Sequence, residues 1–219
     1  MPTRTSGWSV VTGAGRGFCA GAELDVVDAI SDGQAEAATP DEGLRPQLAR
    51  AIRKPVIAAV NGSAAGSGLA VLAYADVRFV AAEATLTTSF AQLGLVAEYG
   101  LAWTLARLVG PGNAADILLS SRRFSGVAAG EIGLAQRVLP AAELLEGALA
   151  YARAMSAGCA PRSLAAIKRQ LVEALEQPHD VALAVSMDLM QESFSSPDLV
   201  EAVAARGERR PPGFLPLES

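Results

Sequence analysis

The chain has 219 residues, 51% of them hydrophobic and only 5% aromatic, with a mean hydropathy of +0.29. This composition excludes a disordered chain and fits one domain, or one domain with an appendage. Eighteen Lys+Arg against 23 Asp+Glu give a formal charge of −5, which excludes the basic footprint of a typical nucleic-acid binder but leaves room for a local basic pocket. The single histidine, His179, excludes zinc sites built on several histidines and would have to serve any Ser/His/Asp triad alone.

Taken in chain order, Trp8 to Thr12 reads as a short buried strand, followed by the loop GAGRGFCAGAEL and a helical patch over Asp25 to Ile30. Ser31 to Pro40 is polar and small, a loop. Asp41 to Arg53 is helical by composition, and Lys54-Pro55 ends it because the residue before proline is pushed out of the helical region. Val56 to Asn61 is a buried strand. After the loop GSAAGSG, Leu69 to Ala75 is an apolar helix, broken at Asp76, and strands follow at Val77 to Ala81 and Thr85 to Thr87. Pro55 to Ala75 carries no charge over 21 residues, a length that would span a bilayer. The asparagine, serines and glycines in its middle instead favour a strand, a loop and a short buried helix.

Tyr99 to Val109, Asn113 to Ser120 and Ser125 to Gly130 are helical, the first stopped by Gly110-Pro111, and Gln136 to Leu139 is a last short strand. The alternation of apolar strands with helices predicts an α/β core over residues 1–140, its sheet covered by helices. Residues 141–219 form a helical appendage with helices at Ala141 to Ala157, Arg162 to Gln177, Val181 to Ser193 and near Asp198 to Arg206. Its apolar residues exceed what a small bundle can hide, so it is expected to dock on the core or on another subunit. His179, between Pro178 and Asp180, reads as a surface cap, which leaves acid–base work to a carboxylate. Cys19 and Cys159 lack the spacing of a metal or redox pair and read as inert buried thiols of a reducing cytoplasm; no export signal or membrane segment is read.

Two glycine-rich loops, Gly13 to Ala22 and Gly62 to Gly68, each lie between a buried strand and a helix, where free N–H groups can bind a phosphate or a developing oxyanion. Gly15 to Ala20 also fits the G-x-G-x-x-A form of a dinucleotide site. The second strand and its acidic residue about 20 positions on are missing, which leaves a nucleotide-dependent oxidoreductase as the remote alternative.

The segments VVTGAGRGFCAGAEL, KPVIAAVNGSAAGSG, FAQLGLVAEYGLAW and ERRPPGF occur in the order and spacing of the enoyl-CoA hydratase/isomerase (crotonase) family, and the resemblance covers nearly the whole chain. It implies a spiral of ββα turns, shortened at the N-terminus because a strand–strand–helix region normally precedes VVTGAG, with a helical C-terminal oligomerisation region. The implied assembly is a homotrimer or hexamer and the implied ligand an acyl-CoA thioester, with coenzyme A as part of the substrate and no other cofactor or metal. By the same resemblance the N–H groups of Ala22 and Ser67 form an oxyanion hole, with Gly66 permitting close approach. Arg16 and the backbone at Ala20 would hold the nucleotide end of coenzyme A. Lys168 is a weaker candidate for its phosphates, the alternative being a solvated helix face. Phe90 and Trp103 would line the acyl tunnel or the core.

Hydratases of the family use two glutamates, and these positions fall on Ala70 and Phe90, neither of which moves a proton. One carboxylate, Glu98 in LGLVAEYG, matches the position of the single catalytic acid in double-bond isomerases of the family. The resemblance therefore implies an enoyl-CoA isomerase of fatty-acid metabolism using Glu98 alone, set against a pocket whose burial raises its pKa while the helix start lowers it. The alternatives are a hydratase (a lyase) drawing water from elsewhere, and an inactive or truncated acyl-CoA-binding paralogue.

Overall fold

The computed structural model describes residues 7–21, 32–33 and 45–217. Among them, β1 (Ser9–Thr12), β2 (Val56–Val60), β4 (Val77–Ala81) and β7 (Arg137–Leu139) form one sheet in the order β1-β2-β4-β7. The short strands β3 (Ala64–Ala65), β5 (Thr85–Thr87) and β6 (Phe124–Ser125) form a second, in the order β3-β5-β6. β2 runs parallel to β4, with Ala59 beside Phe79, and β4 runs parallel to β7, with Val80 beside Val138. Parallel neighbours need a crossover, which between β2 and β4 includes helix α2 (Ser67–Tyr74). Every residue of β2 is buried, as expected for a strand covered on both faces and therefore written as a continuous apolar run.

The expected patch at Asp25 to Ile30 lies outside the described residues, as does the loop Ser31 to Pro40 apart from a turn at Asp32 and Gly33. Of the expected helix Asp41 to Arg53, residues 45 onward are described, and only α1 (Leu48–Ala51) is helical. α2 begins two residues earlier than expected, at Ser67, with Gly66 before it at φ 52°. The segment α3 (Leu101–Ser120) is two helices that meet at Gly110-Pro111, where the first stops as expected. It is bent at Gly110, whose φ of 78° and ψ of 158° are not helical. Proline removes a donor and crowds the preceding turn, so the run kinks there. α4 (Gly126–Glu131) is capped by Ser125, whose hydroxyl accepts the Ala128 N–H at 3.2 Å.

The remaining described elements are all helical: α5 (Ala141–Gly158), α6 (Pro161–Glu173), α7 (His179–Phe194) and α8 (Pro197–Glu208). α6 stops four residues before the expected Gln177. His179 is exposed and opens α7 directly after Pro178. Cys19 is half-buried and Cys159 exposed, so neither is the fully buried thiol expected from composition.

The chain divides into two compact units. One draws on Met1–Ser9, Ile52–Val56 and Leu149–Ser219, the other on Val10–Ala51 and Ile57–Ala148. No helix among the described residues is long and apolar enough to cross a membrane, and the uncharged stretch Pro55 to Ala75 is split between β2, β3 and α2.

Candidate active site

Both glycine loops lie in the second unit, backbone against backbone. The N–H groups of Phe18 and Cys19 donate to the Ser63 carbonyl at 2.9 and 3.1 Å, and the Ala65 N–H donates to the Cys19 carbonyl at 3.0 Å. A Cβ at Gly62 would lie 2.0 Å from the Arg16 carbonyl oxygen, and one at Gly68 would lie 2.3 Å from that of Cys19. Glycine is therefore required at both positions by the approach of the neighbouring strand of chain. At the far end of the contact Gly21 adjoins Gly66, whose Cα would be 3.7 Å from a Cβ on Gly21.

Ser67 follows Gly66 as the first residue of α2, so its N–H has no acceptor within the helix and lies at the positive end of the helix dipole. Ala22, the other expected donor, lies outside the described residues; its neighbour Gly21 is the described residue that meets Gly66. Phe90 is buried and packs towards Gly66, its Cε1 lying 3.8 Å from where a Gly66 Cβ would stand. Ala70, one turn into α2, is fully buried. Gly66, Ser67, Ala70 and Phe90 are thus grouped on one helix start and the turn beside it.

Glu98 lies three residues ahead of α3 and is exposed rather than set against an apolar wall. Before it, Leu93, Leu95 and Val96 also expose their side chains, Val96 to 82%. After it, Tyr99 and Gly100 are both left-handed, at φ 52° and 65°. The Leu101 N–H donates to the Glu98 carbonyl at 2.9 Å, and the Tyr74 hydroxyl donates to the Tyr99 carbonyl at 2.5 Å. Burial, and secondarily the Glu98 charge, push the Tyr99 phenol above its ordinary pKa.

The other expected residues are more scattered. Arg16 and Ala20 are exposed on the first loop. Trp103 is half-buried between two arginines: the Arg107 guanidinium lies 3.7 Å and the Arg50 guanidinium 5.4 Å from its ring centroid. Lys168, in the other unit, is not on a solvated helix face. It is buried, and its ammonium donates to the Lys54 carbonyl at 3.1 Å. Burying an ammonium is costly unless its protons are taken up, and this carbonyl takes one.

Two residues that organise the site were not singled out from the sequence. Asn61 follows β2 directly and bonds the first loop, through an Asn-Gly pair that sequence reading takes only as a turn signal. Tyr74 ends an apolar helix, where an aromatic reads as core; no local signal marks its bond to Tyr99.

A parallel α/β core that brings two glycine loops together at a helix start places free backbone N–H groups where an anion or a polarised oxygen can be bound. A family model for enoyl-CoA hydratase/isomerase matches residues 4–215. A probable enoyl-CoA hydratase of Rhodobacter capsulatus is 34% identical over 211 residues, covering 94% of this chain and 79% of the relative. A peroxisomal Δ(3,5)-Δ(2,4)-dienoyl-CoA isomerase of Arabidopsis thaliana is 29% identical over 221 residues, covering 95% and 79%. The crystal structure of a probable enoyl-CoA hydratase/isomerase from Mycobacterium abscessus superposes with a TM-score of 0.85 at 35% identity, covering 96% of this chain and 81% of that one. The chain belongs to the enoyl-CoA hydratase/isomerase family and has the crotonase fold.

Proposed function

We propose that the protein is an enoyl-CoA double-bond isomerase in which Glu98 is the only acid–base group. The observation that carries this reading is the burial of Ala70 and Phe90, the two positions where the resemblance would put a hydratase's paired glutamates. With both occupied by side chains that cannot move a proton, Glu98 is the carboxylate left in the loop. Isomerisation needs one base. The carboxylate takes a proton from C2 of a 3-enoyl-CoA, the electrons move into the thioester oxygen as a dienolate, and the same proton returns at C4 as the double bond moves into conjugation.

The N–H groups of Ala22 and Ser67 hold the developing oxyanion; removing one donor from comparable holes costs roughly 3–4 kcal/mol. Arg16 and the backbone at Ala20 serve the nucleotide end of coenzyme A. The exposed side chains of Leu93, Leu95 and Val96, just ahead of Glu98, pack on an acyl chain and release their water to bulk, and desolvation of the base follows from ligand binding. The helical region completes the assembly: Leu183, Met187, Met190 and Phe194 recur at helical spacing on α7, each more than half exposed, and a second and third copy of the chain would cover them.

The test is incubation with 3-enoyl-CoA, which should raise the absorbance of the conjugated 2-enoyl thioester, and Glu98→Gln should abolish that rise while leaving binding of the CoA ester intact. Hydration of 2-enoyl-CoA without isomerisation would assign the protein to the hydratases, the activity in the name of the Rhodobacter relative. Binding without turnover would make it an acyl-CoA binder.

A further inference from the structure

Helix α2 is eight residues, about 12 Å, long, and its interior is fixed by the burial of Gly68, Leu69, Ala70, Leu72 and Ala73. Ser67, the donor assigned above to the oxyanion, is its first residue and Tyr74 its last. The Tyr74 hydroxyl reaches across 25 residues of sequence to the carbonyl of Tyr99, the residue immediately after Glu98.

The turn it reaches is unusual. Tyr99 and Gly100 are consecutive left-handed residues, a conformation that a tyrosine rarely adopts, so the surroundings must hold it there. Two hydrogen bonds do so. The Glu98 carbonyl is taken by the Leu101 N–H, and the next carbonyl along the chain is taken by Tyr74. A Cβ at Gly100 would lie 3.3 Å from the Tyr74 hydroxyl oxygen, so glycine there serves the approach of the phenol as well as its own φ of 65°.

We infer that Tyr74 is a positioning residue for the base: one rigid helix carries the oxyanion donor at its start and, through the Tyr74 hydroxyl at its end, holds the turn that bears Glu98. The spacing between the two halves of the machinery is then set by α2. This inference rests on the reading of Glu98 as the base, and it assigns Tyr74 no contact with substrate.

The experiment compares Tyr74→Phe, Gly100→Ala and Glu98→Gln in the full chain. Tyr74→Phe keeps the ring and removes one hydrogen bond. It should lower kcat on 3-enoyl-CoA by about tenfold to a hundredfold, the range expected when a reacting group is misplaced, with KM within about twofold. Amide exchange should accelerate at Leu101 and stay unchanged along Leu69 to Ala73. Gly100→Ala, pushing on the same phenol from the other side, should reproduce the kcat loss. In the Glu98→Gln background Tyr74→Phe should leave binding of the CoA ester within about twofold, whereas a residue that only stabilises the fold would weaken that binding as well. If Glu98→Gln abolishes turnover while Tyr74→Phe keeps wild-type kcat or wild-type protection of Leu101, the inference is overturned and the base assignment stands. If Glu98→Gln keeps the rate, both fall.

Discussion

Asn61 clamps Gly13: its Oδ1 accepts the Gly13 N–H at 3.0 Å, and its Nδ2 donates to the Gly15 carbonyl at 2.9 Å. A residue directly after β2 thereby fixes the loop that follows β1. The fit is close, because a Cβ on Gly13 would come within 2.8 Å of the same Oδ1 and 2.0 Å of the Gly17 carbonyl oxygen.

Asn61→Ala removes these two bonds and the longer ones with the Thr12 hydroxyl and the Gly17 carbonyl, each 3.4 Å, and should lower unfolding stability by at least about 2 kcal/mol, at the usual worth of about 1 kcal/mol per hydrogen bond. Asn61→Asp should cost more, because it keeps the acceptor for Gly13 but turns a carboxylate oxygen on the Gly15 carbonyl. Urea denaturation of the two variants checks the order, and Asn61→Asp matching the wild type would refute the clamp.

Gly68→Ala should be destabilising by about 3 kcal/mol, since the new methyl meets the Cys19 carbonyl at 2.3 Å and one of the two loops must move. Gly112→Ala makes the contrasting case: it lies within α3 with nothing near its Cβ position, and it should raise stability by about 0.5–1 kcal/mol through helix propensity. Melting temperatures that move in the same direction for both would contradict the packing described for the loops.

Arg78 is a buried guanidinium on β4, its Nε donating to the Leu134 carbonyl at 2.6 Å and its Nη1 to the Ala75 carbonyl at 2.7 Å. Burial holds its pKa below the ordinary arginine value, opposed in part by Asp76. Arg78→Met keeps the bulk and strands two buried carbonyls, each costing about 1–3 kcal/mol, so chemical denaturation should show a loss of at least about 2 kcal/mol. A smaller loss would mean that water replaces both donors.

Glu201 holds the segment beyond α8. Its carboxylate takes both Nη groups of Arg210, at 2.5 and 2.9 Å, and the Gly213 N–H at 2.5 Å. These bonds, led by the one from Arg210, bring its pKa from the ordinary 4.5 down to about 2. Since the folded value lies below the unfolded one, the stabilisation is complete above about pH 4.5 and is lost as pH falls through 2. Limited proteolysis by pepsin at Phe214 and Leu215, in the segment that Glu201 ties down, should therefore accelerate between pH 4.5 and 2. Glu201→Gln should show fast cleavage across the whole range, and a wild-type rate flat with pH would refute the assignment.

The sequence by itself determined the elements that depend on neighbouring residues. The apolar run of β2, closed by Pro55 before it and the glycine loop after it, reads as a buried strand; Gly110-Pro111 stops a helix; and both glycine loops read as turns between a strand and a helix. What only the tertiary structure decided are the partners drawn from far along the chain. Lys168 is buried because its ammonium meets the Lys54 carbonyl 114 residues away, although its own helix reads as amphipathic. Asn61 and Tyr74 look locally like a turn residue and a core aromatic, yet they hold the two loops around the site. The two-residue strands β3 and β6 have no period to detect and exist because β5 lies beside them. Local pattern encodes backbone preference within a few residues, whereas a buried polar side chain is placed by whichever distant group satisfies its hydrogen bonds.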